Sequence, residues 1–158
     1  MATLHTLRIE HAELIGMLIS SAEGMHDVEI DQVRGLIDDK RASVLDSKEV
    51  HFHFNRASAI QEVVEKLKHA SLIPPPSHKH PTIIPLSSQH QVDVVSTIID
   101  FAYDWMNDTV TEPLWVLRAC LPVLTPGLVD DLRKEMNDGI TRLVMITELK
   151  TIWQEELR

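Results

Sequence analysis

Apolar residues recur every three or four positions through most of the chain, which is the spacing of one face of an α-helix. Proline, glycine and capping residues divide this pattern into six or seven segments. These predicted helices cover roughly residues 4–23, 27–45, 58–70, 88–108, 112–124, 125–138 and 139–158. Because amphipathic helices bury their apolar faces against one another, the sequence predicts an all-α, bundle-like fold.

Several helix boundaries follow from residues that cap or break helices. Gly24 is expected to end the first helix and Asp27 to begin the second. Ser58 and Ser88 each open a Ser-x-x-Gln sequence, which fits a capping box at a helix start. Thr125 precedes a proline, a residue that suits the first helical turn because its missing N–H has no partner there.

One short segment departs from the helical period. Val50, His51, Phe52, His53 and Phe54 alternate between apolar residues and histidine, as in a strand whose two faces differ. No second segment alternates in the same way, so we predict an extended chain near 50–54 without a partner strand. Phe52 and Phe54 are therefore candidate contacts with a second copy or with another protein.

A proline-rich stretch divides the chain into two halves. Residues 74–90 contain five of the eight prolines together with several Ser and His, which predicts a loop or linker. The expected organisation is an N-terminal helical half over 1–73, this loop over 74–90, and an acidic helical half over 91–158. At 158 residues the two halves are expected to share one compact domain.

Charge is distributed unevenly along the chain. The formal net charge is −9; residues 80–158 carry twelve acidic against six basic residues, and residues 1–79 carry twelve against nine. No Lys or Arg occurs between 80 and 117, where Asp93, Asp100 and Asp104 lie on the polar side of a predicted helix. This face is expected to bind a basic protein, with Trp115 as an aromatic contact. Ordinary solubility charge is the alternative interpretation.

Histidine is the one residue type in excess, with nine in the chain. His51 with His53, and His78 with His80, form two H-x-H pairs on segments predicted to be extended. Side chains at i and i+2 of an extended chain point the same way, so each pair could share a transition metal. No cysteine pairs or H-E-x-x-H sequence support such a site. We therefore predict no cofactor and keep these four histidines as residues to test.

The sequence contains no constellation typical of catalysis. It has no G-x-S-x-G, P-loop or G-x-G-x-x-G sequence, and its single cysteine, Cys120, lies on an apolar helix face. An enzyme is not predicted. A nucleic-acid-binding helix-turn-helix made of the predicted helices 27–45 and 58–70 would offer only five cations: Arg34, Lys40, Arg41, Lys66 and Lys68.

The N-terminal region lacks a targeting pattern. Its longest apolar run is about six residues, whereas a secretory signal needs about 7–15 and a membrane span about 20. We expect a cytoplasmic protein with no membrane contact.

The first interpretation is a non-catalytic protein-binding or regulatory module, such as an adaptor, an inhibitor or immunity protein, or an assembly chaperone. Its expected interface combines the 50–54 segment, the proline-rich loop and the acidic face, and it is expected to form a homo-oligomer, most simply a dimer. The alternatives are a His-rich metal-binding helical protein and a helical nucleic-acid-associated regulator.

Overall fold

The computed structural model describes residues 2–38 and 48–158 of the chain. Within them the chain forms four long helices and one two-stranded sheet. In chain order these elements are β1 (His5–Ile9), α1 (Ala12–Asp38), α2 (Lys48–Ala70), β2 (Thr82–Leu86), α3 (Gln89–Cys120) and α4 (Pro126–Glu156), with a 3₁₀ turn at Leu121–Val123. The predicted helical class is confirmed, apart from the small sheet. The predicted count of six to seven helices is wrong, because several expected breaks lie inside continuous helices.

The helices pack as two pairs, α1 with α2 and α3 with α4, which share one hydrophobic core. The core uses only one half of each helix and is completed by the sheet. Its largest fully buried side chains include Leu7, Ile9, Leu14, Leu18, Ile60, Leu67, Leu86, Ile98, Ile99, Ile146 and Leu149. The remaining halves extend beyond the core as an α1–α2 arm (residues 26–38 and 48–58) and an α3–α4 arm (residues 107–138).

The first residues form a strand rather than the start of a helix. β1 pairs antiparallel with β2, in a register that runs from His5 opposite Leu86 to Ile9 opposite Thr82. Leu7 and Ile9 are buried and alternate with exposed residues. Leu7 and Ile9 are two residues apart, which is the strand period, whereas Leu4, Leu7 and His11 have the helical spacing that predicted a helix here. The strand forms because a partner more than 70 residues away supplies the ladder of hydrogen bonds.

The proline-rich loop predicted over 74–90 is interrupted by β2, whose residues alternate between buried and exposed. Pro85 lies on the free edge of this strand, where its missing N–H leaves no ladder bond unmade. The Pro85 carbonyl accepts a hydrogen bond from Lys66 Nζ at 2.6 Å. The predicted cap at Ser88 is confirmed, since Ser88 Oγ accepts from the Gln91 N–H at the start of α3.

α1 continues through the predicted break at Gly24 and the predicted start at Asp27. A glycine inside a helix costs about 1 kcal/mol relative to alanine, which is too little to end a helix that packs on both sides of it. Met25 and Val33, beyond the glycine, are both buried. The last part of the predicted second helix, 39–45, lies outside the described residues.

The extended segment predicted at 50–54 is part of α2. Val50 and Ala57 are buried and His53 is partly buried, so positions i, i+3 and i+7 form the inner face of a helix. Phe52 and Phe54 are exposed. The segment alternates like a strand, but Val50, His53 and Ala57 also have helical spacing. The packing of this helical face made the segment part of α2.

Three further predicted helix starts also lie inside helices. Ser58 is within α2, Pro113 within α3 and Gly139 within α4. Pro113 is buried in a helix interior, where it leaves one carbonyl of the preceding turn without its usual partner. Thr125 does cap α4 as predicted, and its Oγ1 accepts from the Leu128 N–H.

A buried carboxylate holds the two helices of the α1–α2 arm together. Glu29 on α1 is only 9% exposed. One of its oxygens accepts from Arg56 Nε at 2.8 Å, and the other lies 2.5 Å from His53 Nδ1. The Arg56 guanidinium also lies 5.6 Å from the ring centre of Phe52. Both partners belong to α2, so one side chain of α1 is satisfied across the helix pair.

Gly139 allows α3 and α4 to approach closely, and we expect Gly139→Ala to destabilise the protein. A Cβ atom at this position would lie 3.0 Å from Val110 Cγ2 and 3.2 Å from Thr109 Oγ1. We expect a loss of about 1–2 kcal/mol in the free energy of unfolding, measured by chemical denaturation. In the control Gly24→Ala the new methyl group meets open space and should stabilise by about 0.5–1 kcal/mol. Equal effects at the two positions would contradict the close approach.

Loss of the Glu29 charge should weaken the α1–α2 arm. Glu29→Gln leaves the guanidinium of Arg56 and the imidazole of His53 without their anionic partner, at an expected cost of about 1–3 kcal/mol in unfolding free energy. The control is Glu23→Gln, because Glu23 pairs with Lys68 at 3.3 Å and both side chains are half exposed. That change should cost less than about 0.5 kcal/mol. Similar losses for both variants would show that burial of Glu29 is unimportant.

Candidate partner-binding groove

A groove runs between α1 and α3 on one side of the core. On α1 it is lined by Glu13, Gly16, Met17, Ser20 and Ser21, and on α3 by Phe101, Asp104, Trp105, Met106, Asp108 and Thr109. Both sets step by three or four residues, so each is one face of its helix. Its volume is about 430 Å³ around Ser21 and about 580 Å³ around Glu13. We call this feature the α1–α3 groove.

The two helices run antiparallel along the groove. Ser21 lies near Phe101 at one end, and Glu13 lies near Thr109 at the other, so the numbering rises in opposite directions. Arg142 of α4 borders the end that holds Glu13. Three of the four helices therefore contribute to one depression.

Two aromatic side chains lie on the α3 side of this groove without full cover. Phe101 is 48% exposed and Trp105 is 46% exposed. By helical spacing Phe101 and Trp105 continue the apolar stripe of Val94 and Ile98, which predicts that both are buried, and for these two residues that prediction is wrong. Trp153 shows the ordinary structural role for comparison, because it is buried and its indole Nε1 donates to Ser96 Oγ at 2.9 Å. Half-exposed aromatics beside a groove are typical of contact surfaces rather than of a core.

The carboxylates that line the groove are unpaired. In the part of the chain that the structure describes, Glu13, Asp104 and Asp108 form no ion pair. The other predicted acidic residues are engaged elsewhere. Asp100 pairs with Lys150 at 3.2 Å, and Asp93 accepts from the side chain of its helix neighbour Gln89. The groove thus concentrates negative charge beside exposed aromatic rings.

The aromatic and acidic character continues along α3 past the groove. Trp115 is 68% exposed and, with Thr111, Glu112 and Val116, lines a second shallow depression. Phe101, Asp104, Asp108, Thr111 and Trp115 follow one another at helical spacing along a single face. This face, which we call the acidic aromatic face, is about 21 Å long at 1.5 Å per residue.

Ser21 places an unsatisfied polar atom at the groove. Its side chain is 1% exposed, and its Oγ has no hydrogen-bond partner among the described residues. A buried hydroxyl without a partner costs free energy, so such groups are uncommon and call for an explanation. The Ser21 hydroxyl is therefore expected to lower the stability of the folded protein.

A second apolar cleft, between the end of α2 and β2, lacks these features. It is lined by residues that include Ile73, Ile83 and Lys66. The ammonium group of Lys66 is already engaged, since it donates to the Pro85 carbonyl and to Gln91 Oε1. Gln91 in turn donates to Glu62. This network fixes the start of α3 against α2 and has a structural role.

The other predicted contact residues lie away from the groove. None of the residues that line it belongs to α2, so the structure does not bring Phe52 and Phe54 together with Asp104. The ring of Phe52 packs edge-on against His53, with centroids 5.3 Å apart. The composite interface expected from the 50–54 segment, the proline-rich loop and the acidic face is therefore not assembled.

The predicted histidine pairs do not have the geometry that suggested a metal. His51 and His53 lie on a helix, where residues i and i+2 point to different sides. His78 bonds to the carboxylate of Glu10, whereas the backbone N–H of His80 donates to a serine in the same turn. Among the described residues, no group of three or more His, Cys, Asp or Glu side chains is placed to hold a metal ion.

Much of the histidine excess is instead used between elements. Four histidines each contact a glutamate far away in sequence: His5 with Glu156, His11 with Glu148, His53 with Glu29 and His78 with Glu10. The contacts of His5 and His11 join β1 and the residue before α1 to α4, that of His53 joins α2 to α1, and that of His78 joins the turn before β2 to the segment after β1. Their sequence separation of 24 or more residues explains why no local motif revealed them.

Sequence reasoning found Asp104 but missed most of the groove. Ser21 and Glu13 lie on α1. The sequence predicted two helices in place of α1 and no strand before it. Phe101 and Trp105 fit a helical stripe that looked buried. One feature of the sequence indicated that Phe101 and Trp105 are exposed, namely their position beside Asp104 and Asp108. An apolar residue next to a row of carboxylates lies at the border between the buried and the exposed side of a helix.

Comparison with protein families, with curated proteins and with solved structures finds no match to this chain. None of the described helices combines the length and the apolar character that a membrane crossing requires.

Replacing Ser21 should stabilise the free protein. Ser21→Ala removes a buried hydroxyl that has no partner, and we expect the unfolding free energy to rise by about 1 kcal/mol. Ser20→Ala is the control, since it gives the same gain in helix propensity, a few tenths of a kcal/mol, at an exposed position of the same helix. If the two variants have equal stability in denaturant unfolding, then Ser21 already has a partner in the free protein.

Proposed function

We propose that this protein is a non-catalytic protein-binding module that holds a basic, amphipathic helix of a partner protein in the α1–α3 groove. The observation that carries the proposal is the combination of half-exposed Phe101 and Trp105 with the unpaired carboxylates of Asp104 and Asp108. Such a module would act as an adaptor, inhibitor or chaperone in the cytoplasm.

The aromatic side chains supply the apolar part of binding. Covering Phe101 and Trp105 removes a large apolar area from water, and tryptophan is enriched among the residues that dominate interface energies. A Lys or Arg side chain over the Trp105 ring would add a cation–π contact. Asp104 and Asp108, one helical turn apart, are placed to pair with the same cation or its neighbour.

The net charge of the protein favours the same partner. At −9 the chain attracts basic segments at long range, which raises the rate of association. The groove carboxylates then select among them at short range. These charges repel a phosphate backbone, so a protein rather than a nucleic acid is the proposed partner.

A helix is the proposed form of the bound segment. The acidic aromatic face is straight because it lies on one helix, and its length of about 21 Å corresponds to about four turns of a partner helix. A groove between two helices accepts apolar side chains at i, i+3, i+4 and i+7 of such a segment.

The test uses a defined peptide of about 15 residues, which is long enough for four helical turns, made of Leu on one face and Arg on the other. We expect it to bind the wild type, and its analogue with Glu in place of Arg not to bind. Asp104→Asn/Asp108→Asn should weaken binding about tenfold, because two charge contacts at the groove are lost. Calorimetric titration at physiological salt measures the dissociation constants.

The control is Asp130→Asn/Asp131→Asn, which removes the same net charge from an exposed part of α4. It should change the affinity less than twofold. If both double variants weaken binding equally, the peptide recognises only the net charge and the proposed site is wrong. As a steric check, Gly16→Leu fills the groove and should prevent binding, whereas Gly24→Leu, also in open space on α1, should not.

A further inference from the structure

α3 and α4 pack along a regular heptad seam. On α4 the seam consists of Val129, Leu132, Met136, Gly139, Leu143, Ile146, Lys150 and Trp153. On α3 it consists of Val92, Val95, Ile99, Ala102, Met106, Thr109, Pro113, Val116 and Cys120. Alternating steps of three and four residues are the pattern of a coiled coil. In the part of the seam that lies in the α3–α4 arm, burial is incomplete, and only Pro113 is classed as buried there.

One side of this helix pair remains apolar and uncovered. It is formed by Val110, Leu114, Leu117 and Leu121 from the α3 side and by Ile140 and Val144 from α4. Leu121, Ile140 and Val144 are 51%, 43% and 52% exposed, and the other three are partly exposed. We call this surface the outer face. It lies on the opposite side of α3 from Phe101, Trp105 and Asp108.

The outer face has a different charge character from the groove. Between Val110 and Val144, within the described helices, two arginines lie beside these apolar side chains: Arg118, one turn from both Leu114 and Leu121, and Arg133 on α4. At one edge Lys150 and Asp100 neutralise each other at 3.2 Å, and Lys150 also lies 4.7 Å from the ring centre of Tyr103. A basic partner would meet these two arginines on the outer face, which disfavours its binding there. A second copy of this acidic protein can approach the same face without bringing two rows of carboxylates together.

We propose that two copies of this chain associate through their outer faces, so that the two α3–α4 pairs form a four-helix bundle. A two-helix pair cannot bury apolar side chains on both its inner seam and its outer face. A second pair packed against it by twofold symmetry covers them, as in bundles with apolar residues flanking the seam. Because the groove lies on the opposite side of α3, both grooves remain accessible in the dimer.

The area available is sufficient for a dimer. Leu121, Ile140 and Val144 are about half exposed and the other three at most about a third, so the six side chains leave roughly 400 Å² per copy to bury. With the polar residues around them the area reaches about 600 Å² per copy, or about 1,200 Å² in total, which is the lower limit of a standard-size interface. The neighbouring Leu128 and Val123 at the end of the arm are also exposed and could enlarge it. This inference is independent of the proposed partner in the groove.

The test is the molar mass in solution, measured by light scattering after size exclusion and by sedimentation velocity over a range of concentrations. The wild type should have twice the monomer mass at micromolar concentration. Val144→Lys should have the monomer mass, because a charge on the outer face would be buried in the dimer. Val28→Lys is the matched control: Val28 is 57% exposed, is on α1, and should leave the dimer intact.

Ile140→Lys provides a second disruption of the same face, and helical circular dichroism with a cooperative melt confirms that each variant is folded. A wild type with the monomer mass at high micromolar concentration would overturn the proposal. Dimers that persist in folded Val144→Lys and Ile140→Lys would also overturn it. The wild-type mass does not depend on the Asp104 and Asp108 variants, so its failure and that of the groove proposal can be told apart.

Discussion

Burial of the first half of α3 is the interaction on which the rest of the structure depends. Val94, Val95, Ile98, Ile99 and Ala102 point to more than one side of the helix, and all are buried. α1, α2 and α4 each cover part of this wide arc. Because three helices must meet around one segment, only half of each helix can contribute to the core, and the other halves extend as arms.

The same constraint leaves α3 with two surfaces that differ in chemistry. On the side next to α1, the buried surface of α3 is bordered by aromatic rings and unpaired carboxylates. The acidic aromatic face continues beyond the core to Trp115. On the other side, the arm has apolar residues with Arg118 and Arg133 beside them. Charge therefore separates the two proposed interactions, since a basic segment is favoured on one side and a second copy on the other.

Long-range polar contacts fasten the periphery to this core. Glu29 connects the two helices of one arm, and Gln91 joins α2 to the start of α3. Thr6 at the edge of β1 donates its backbone N–H to the Glu156 carboxylate at 2.9 Å. Such bonds contribute modest net stability, but their loss would leave buried or partly buried groups unsatisfied. They determine how the elements are positioned rather than which elements form.

The helical periodicity, the acidic stretch and two helix caps could be predicted from the sequence because they depend on neighbouring residues. Ser88 and Thr125 cap helices through side-chain bonds that span three residues. The exposure of Asp104 could be predicted for the same reason, since a carboxylate in a row of carboxylates remains on the polar side of a helix. Glycine and proline were less informative, because packing holds α1 and α3 continuous through Gly24 and Pro113.

What the sequence by itself determined was the helical class and the concentration of negative charge on one helix. The sheet, the paired histidines and the groove were decided only by tertiary structure. A strand at 5–9 requires hydrogen bonds from 82–86, and the groove requires α1 to lie antiparallel to α3. Local patterns state which side of an element is apolar, but they do not state which element covers it. Phe101 and Trp105 are candidate contacts because α1 covers only part of this side of α3 and leaves both rings about half exposed.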